Sequence, residues 1–231
     1  MSIAMEQNTR EPQYERCVAL ARERPTSLGL MSNQIWHDDP KRLAFVLSRY
    51  KFVAKMFSGM NHVLEVGCAD AFASRVVVQE VKALTVTDFD PVFIADVNNH
   101  VDPDWKFEYL THDMVNRPLE RGFDGAYALD VVEHISEVDE NRFVGNMAKS
   151  LNSHGVCILG SPSLESQVYA SDGSKAGHVN CKTGKDLKGL LDRFFHNVFI
   201  FSMNDEVVHT GFNRMAHYLL VVGCAPREEM A

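Results

Sequence analysis

A short stretch of the chain, LDVVEHI (129–135), combines the residue types that proton-transfer chemistry needs. Asp130 and His134 are four residues apart, so they would share one face if the stretch were helical. A carboxylate beside an imidazole raises the basicity of the ring and fixes which nitrogen carries the proton. The spacing therefore indicates a general base, with His134 as the proton acceptor. The alternative, that Glu133 and His134 only cap and pack a turn, stays open.

The same stretch has a second interpretation. Asp130, Glu133 and His134 could together bind a divalent metal, because oxygen and imidazole ligands suit such ions. Acid-rich clusters also arise as ordinary solvated turns, and we expect no bound metal. A second candidate catalytic residue is His178, in the aperiodic segment 161–186. Long loops are uncommon unless they are functional, although a solvated surface histidine fits this position equally well.

A nucleotide-binding turn is indicated by VLEVGCADA (63–71). Gly67 allows a backbone conformation that other residues avoid, but Ala69 and Ala71 stand where many such turns have further glycines. Asp88 ends the next strand about twenty residues later, where a carboxylate can accept hydrogen bonds from both ribose hydroxyls. The turn does not show the G-x-G-x-x-G pattern of a dinucleotide oxidoreductase. Glu65, just before the glycine, suits a ligand with positive charge beside its ribose.

Strands and helices alternate along the chain from residue 62 onward, which predicts a doubly wound α/β fold. We expect a mostly parallel, seven-stranded, Rossmann-like sheet with an antiparallel last strand. The predicted strands are 63–66, 83–88, 106–113, 123–130, 155–162, 197–203 and 217–224. The predicted helices are 40–58, 71–81, 137–151 and 184–195, with a helix or loop at 92–98. Thr183 and Asp186 resemble a capping box at the start of the last helix.

Composition narrows the possible partners. The 231 residues have a net charge of −8, and no basic run offsets it, so we expect no nucleic-acid partner. The five cysteines form no CxxC pair, and no apolar run is long enough to span a bilayer. We expect a cytoplasmic protein with no membrane contact. Residues 1–39 are interpreted as an N-terminal arm or lid, on which Trp36 either walls a pocket or staples the arm to the domain formed by 40–231.

Taken together, five segments give the sequence a family resemblance over roughly residues 40–224. They are VLEVGCADA (63–71), TVTDFDP (85–91), FEYLTHDM (107–114), FDGAYALDVVEHI (123–135) and LNSHGVCILGSPS (151–163). In their order and spacing these segments resemble the strand-end motifs of the class I S-adenosylmethionine-dependent methyltransferases, of the type that acts on small molecules. The resemblance implies the family's Rossmann-like sheet and S-adenosyl-L-methionine as cofactor, with S-adenosyl-L-homocysteine as product.

The resemblance also implies roles for individual residues. The methionine end of the cofactor would lie against residues of the first turn and of the fourth strand end, and its ribose and adenine against residues that follow the second and third strands. The implied cofactor-binding residues are Arg49, Glu65, Gly67, Cys68, Asp88, Phe89, Asp113, Met114 and Leu129. The candidate catalytic residues are His134, His178 and Asp130. Arg49 would pair with the cofactor carboxylate.

The leading hypothesis is methyl transfer to a small polar molecule, at a hydroxyl of a sugar or nucleotide-linked sugar. N-methylation of a small amine is the nearest alternative, because an amine needs less help from a base. A non-catalytic S-adenosylmethionine-binding protein is a third, supported only by the alanines of the first turn. A homodimer is compatible with the sequence.

Overall fold

The computed structural model describes residues 9–105, 107–120 and 122–228. Within them one sheet of eight strands has the order β3-β2-β1-β4-β5-β8-β6-β7. The strands are β1 (Val63–Val66), β2 (Leu84–Asp88), β3 (Glu108–Thr111), β4 (Phe123–Leu129), β5 (Leu151–Pro162), β6 (Phe195–Asn204), β7 (Val207–His209) and β8 (Tyr218–Pro226). The first five strands pair in parallel, so their carboxyl ends meet at one edge of the sheet.

The helices cover both faces of this sheet. They are α1 (Glu15–Glu23), α2 (Leu30–Asp38), α3 (Lys41–Met56), α4 (Ser74–Val78), α5 (Pro91–His100), α6 (Glu140–Ser150), α7 (Asp172–Gly177) and α8 (Gly184–Asp192). Every residue of β1 and β2 is buried, as expected for parallel strands covered on both faces. Two apolar clusters result, with α3 packing into one and α6 and α8 into the other.

The carboxyl-terminal strands confirm the predicted change of direction. β8 pairs antiparallel with both β5 and β6, so it lies inside the sheet rather than at its edge. The predicted fold class is confirmed, and the strand count is eight instead of seven. The additional strand, β7, forms a short antiparallel hairpin with β6.

Three local predictions differ from the structure. The helix expected over 71–81 is reduced to α4, and the helix expected from 137 begins at Glu140. The segment 161–186 is not an aperiodic loop, because it contains a 3-10 helix, Leu164–Tyr169, and the short helix α7. The hydroxyls of Ser163 and Ser171 cap these two elements by accepting backbone N–H groups. The predicted cap at Thr183 is confirmed.

The N-terminal arm docks beside the first turn of the sheet; its residues 1–8 lie outside the described part of the chain. The backbone N–H of Ser32, at the start of α2, donates to Asp70 at 2.6 Å. Ile35 is the buried apolar residue of α2, whereas Trp36 is 54% exposed. Helical periodicity turns Ile35 inward, and the interpretation of Trp36 as a pocket wall or a staple stays a prediction. Among the described residues no helix is long and apolar enough to cross a membrane.

Candidate active site

The first strand–helix turn follows β1 and is held against β2 by its own backbone. The N–H groups of Gly67 and Cys68 both donate to the carbonyl oxygen of Thr87, at 2.8 and 2.9 Å. Gly67 has a φ of +79°, and a Cβ added there would lie 2.4 Å from a methyl group of Val131. Glycine is therefore required at this position both for its backbone conformation and for space.

The two alanines of this turn adopt glycine-like backbone conformations. Ala69 has a φ of 46° and Ala71 a φ of 53°, both in the left-handed region. A left-handed conformation costs a non-glycine residue about 1–2 kcal/mol. The turn therefore keeps the conformation that further glycines would give it, at the expense of stored backbone strain.

Relieving this strain should stabilise the protein. Ala69 is partly exposed, so Ala69→Gly removes little buried surface. We expect its free energy of unfolding to rise by about 0.5–1 kcal/mol, because the relief of strain exceeds the greater entropy that glycine gives the unfolded chain. Urea denaturation measures the change. A fall in stability would contradict the strained conformation.

Asp88, at the end of β2, is shaped to accept hydrogen bonds from a ligand. One carboxylate oxygen accepts the N–H of Ala69 at 3.0 Å, and the other accepts the N–H of Asp90 at 2.9 Å. Each oxygen keeps a second lone pair, which suits a ribose with two neighbouring hydroxyls. Burial raises the pKa of Asp88, and these backbone donors partly offset the rise. Phe89 beside it is 73% exposed, so its ring is available to a base.

Glu65 lies beneath the turn, where sequence reasoning did not place it. Its carboxylate is buried and accepts the hydroxyls of Tyr50 and Tyr127, at 2.6 and 2.7 Å. Burial raises the pKa of Glu65, and the tyrosine donors lower it in part. The carboxylate therefore supports the turn from inside the core. Nothing in the local sequence marks the two tyrosines, since only the folded sheet and α3 bring them to Glu65.

The remaining predicted cofactor residues line the same edge of the sheet at different depths. Asp113 accepts the N–H of Val115 at 2.9 Å and so fixes the turn after β3. Met114, Leu129 and Cys68 are buried. Burial raises the pKa of the Cys68 thiol, so this residue is an apolar packing group rather than a nucleophile.

Asp130 and Arg49 form an ion pair that the sequence did not predict. The guanidinium Nη1 of Arg49 lies 2.8 and 2.6 Å from the two carboxylate oxygens of Asp130. The guanidinium carbon lies 3.7 Å from the ring centroid of Tyr218. Arg49 was expected to meet the cofactor carboxylate; here it holds Asp130. Asp130 has a φ of 57°, and a 3-10 turn, Val132–His134, follows it. The shared helical face proposed for Asp130 and His134 was therefore wrong.

His134 and His178 are brought together although 43 residues separate them in the chain. Their ring centroids are 5.2 Å apart. The Nδ1 of His134 donates to the carbonyl oxygen of Gly177 at 2.8 Å, so Nε2 carries a free lone pair. Burial, followed by the neighbouring His134, lowers the pKa of His178. Both rings can therefore accept a proton.

Glu133 lies beside the two histidines in the interior. It is fully buried, and neither carboxylate oxygen has a hydrogen-bond partner among the described residues. Loss of solvation, followed by the charge of Asp130, raises the pKa of Glu133 to about 8. The nearby Ser161 hydroxyl lowers this pKa slightly but donates to the carbonyl oxygen of Pro162 instead. The sequence had placed Glu133 in a turn, without indicating that it would be buried.

This sheet order, with its first glycine turn and the acid that ends β2, defines the fold of the class I methyltransferases. Residues 63–155 match a family model described as a methyltransferase domain. The predicted resemblance to the class I S-adenosylmethionine-dependent methyltransferases is therefore confirmed over the matched residues, which form a methyltransferase domain. No protein of curated function matches the sequence.

Solved structures share this fold at low sequence identity. The methyltransferase from a Haloferax volcanii complex with the Trm112 methyltransferase activator is 13% identical, with a TM-score of 0.66 over 87% of this chain and 100% of that one. The N-methyltransferase NodS from Bradyrhizobium japonicum WM9, in complex with S-adenosyl-L-homocysteine, is 18% identical, with a TM-score of 0.63 over 91% and 98%. The carbon methyltransferase CurJ is 12% identical, with a TM-score of 0.62 over 90% and 61%.

Proposed function

We propose that this protein transfers a methyl group from S-adenosylmethionine to a hydroxyl of a small polar molecule, such as a sugar or nucleotide-linked sugar. The observation that supports a hydroxyl acceptor is the pair of imidazoles in the segments that follow β4 and β5. Each has an Nε2 lone pair free to take a proton. A hydroxyl needs such a base, whereas an amine or an activated carbon depends on it less.

The described residues fit the cofactor. Asp88 offers two lone pairs to ribose hydroxyls, the exposed Phe89 offers a ring to adenine, and Gly67 allows close approach of the backbone. When bound, S-adenosylmethionine supplies a methyl group activated by its sulfonium. The roles of Asp113, Met114 and Leu129 toward adenine and methionine remain part of this proposal.

The chain's own residues align the acceptor and remove its proton. With the acceptor hydroxyl held in line with the methyl group that the cofactor would supply, Nε2 of His134 or His178 would take the hydroxyl proton as the oxygen is methylated, and S-adenosyl-L-homocysteine would be the leaving group. Asp130, held by Arg49, acts against the fall in the His178 pKa that burial and the neighbouring His134 cause. Holding the reactants in line supplies a large part of the acceleration in reactions of this kind.

The absence of a nucleic-acid substrate and the cytoplasmic location are part of the same proposal. The net charge of −8 argues against nucleic acid as a substrate. The described cysteines are all free thiols, which agrees with a reducing compartment such as the cytoplasm. NodS methylates nitrogen and CurJ carbon by their descriptions, so the fold leaves the acceptor atom open.

Asp88→Ala is expected to weaken S-adenosylmethionine binding roughly 10- to 100-fold. It removes hydrogen bonds from ribose hydroxyls to a charged group, worth about 1.5–3 kcal/mol. Isothermal titration with S-adenosylmethionine and S-adenosylhomocysteine measures the change. Asp90→Asn is the matched control, because asparagine can still cap α5 and the ribose contacts remain.

The same titration tests the proposed function as a whole. Wild type that binds the cofactor justifies a screen of sugars and nucleotide sugars, in which release of S-adenosylhomocysteine reports transfer. Well-folded wild type that binds neither cofactor form would overturn the proposal. Binding unaffected by Asp88→Ala would instead remove Asp88 from the ribose site.

A further inference from the structure

Three potential metal ligands converge beside the proposed acceptor site. One ligand atom each from Glu133, His134 and His178 lies within 4.8 Å of the other two. Bonds of about 2.0–2.1 Å to a tetrahedral ion would place such atoms roughly 3.3 Å apart. The three side chains would therefore close by up to about 1.5 Å around an ion. His134 is exposed, so an ion can enter from the surface.

Both imidazoles are already oriented as metal ligands usually are. A metal-binding histidine commonly donates its other ring N–H to a carbonyl or carboxylate, which fixes the tautomer. His134 donates Nδ1–H to the carbonyl oxygen of Gly177 at 2.8 Å. The Nδ1 of His178 lies 2.9 Å from Oε1 of Gln167, whose Nε2 donates to the carbonyl oxygen of Ser163. The Gln167 oxygen is thus an acceptor, and His178 also keeps its Nε2 lone pair.

The backbone joins the two parts of the cluster. The N–H groups of Val179 and Asn180 both donate to the carbonyl oxygen of Glu133, at 2.8 and 3.0 Å. Together with the bond from His134 to Gly177, they fix the segment carrying His178 against the turn after β4. The arrangement of the three side chains is therefore built into the fold rather than left to a mobile loop.

The buried carboxylate of Glu133 has no direct counter-charge among the described residues. Arg49, the nearby cation, is paired with Asp130 at 2.6 Å. Lys182, which follows the His178 segment, is paired with Glu140 at 2.6 Å. A buried carboxylate without a partner is costly. A bound cation would supply the missing positive charge, and the unpartnered carboxylate oxygens of Glu133 would coordinate it.

We propose that Glu133, His134 and His178 bind one divalent first-row transition-metal ion, which leaves coordination positions open toward the acceptor. Two imidazoles and one carboxylate suit such ions better than Mg²⁺ or Ca²⁺, which prefer oxygen ligands. The proposal that these residues bind an ion does not depend on the proposed function. The role of the ion rests on the proposed function and replaces the free imidazole base there: with both imidazoles bound, the ion would polarise the acceptor hydroxyl, and the proton would leave to water. The site replaces the sequence-based expectation of no metal, and it uses His178 in place of Asp130.

The test is direct metal binding by chelator-stripped, full-length protein. Mn²⁺ is titrated while electron paramagnetic resonance reports the free ion, and Co²⁺ is titrated while visible absorption reports its coordination. We expect one ion per chain in wild type. His134→Ala and His178→Ala should each weaken binding by at least the roughly 10- to 100-fold that even outer-shell changes cost. Glu133→Gln should do the same without lowering the metal-free unfolding temperature, because glutamine keeps the shape of the side chain without its ionisable group.

His154→Ala is the matched control, because His154 is an exposed histidine on β5 outside the cluster. It should bind the ion as wild type does. Wild type that binds no ion, or cluster variants that bind as tightly as wild type, would overturn the metal site. Titration of the same samples with S-adenosylmethionine separates the two proposals: cofactor binding without metal binding rejects the ion alone, and loss of cofactor binding in wild type rejects the proposed function.

Discussion

Replacing His134 with alanine is expected to lower kcat by about 10²–10⁴-fold, the usual contribution of a positioned proton acceptor. Its Nδ1 is fixed by the Gly177 carbonyl, so Nε2 is the nitrogen that carries the lone pair. Among the described residues, His134 forms no hydrogen bond with the turn after β1 or with Asp88. The affinity for S-adenosylmethionine should therefore stay close to that of wild type. Steady-state release of S-adenosylhomocysteine with the acceptor found by screening measures kcat.

His178→Ala and the double variant show how the two rings act. A single general base would make one substitution dominate and leave the other mild. A shared ion would make each substitution costly and their effects far from additive, because losing either ligand disables the same unit. His154→Ala should keep wild-type kcat. Methylation that persists in the double variant would contradict a hydroxyl acceptor and favour an amine, which needs less help from a base.

Much of the fold could be predicted from the sequence because its signals are local. The buried runs of β1 and β2 and the helical spacing of α3 depend on neighbouring residues. The cap at Thr183 is also local, because its hydroxyl accepts the N–H of Asp186, which is close by in the chain. The short helix α7 and the 3-10 helix before it could not be found by apolar periodicity, since neither buries a residue. Serine caps form them, and such caps also occur in loops.

The site was harder to predict because its contacts are long-range. The motifs located the turn at Gly67 and the acid Asp88, since each lies at a predicted strand end. The pairing of Arg49 with Asp130 joins residues 81 apart in the chain, and sequence spacing contains no information on it. Glu133 is likewise contacted by residues far along the chain, because the N–H groups of Val179 and Asn180 donate to its carbonyl oxygen. Residue types could thus be predicted, but not their partners.

Gly67→Ala is expected to lower the free energy of unfolding by about 2–5 kcal/mol. The positive φ would cost an alanine about 1–2 kcal/mol, and the overlap of its Cβ with Val131 would add about 1–3 kcal/mol as overpacking. The Val131 side chain belongs to the turn leading to Glu133 and His134, so the overlap would disturb both the cofactor turn and the acceptor site. Urea denaturation measures stability, and isothermal titration measures the loss of S-adenosylmethionine binding.

Substitutions at two other glycines separate the two causes of this loss of stability, which are backbone strain and steric overlap. Gly59 has a φ of +83° but nothing within 4 Å of an added Cβ, so Gly59→Ala should show the backbone strain alone, about 1–2 kcal/mol. Gly189 lies in α8 with open space and no positive φ, so Gly189→Ala should stabilise the protein by about 0.5–1 kcal/mol. If Gly67→Ala cost no more than Gly59→Ala, Val131 would not limit the turn. If it cost more, the difference would measure how tightly the turn after β1 packs against the one after β4, and hence how firmly the cofactor site is joined to the histidine cluster.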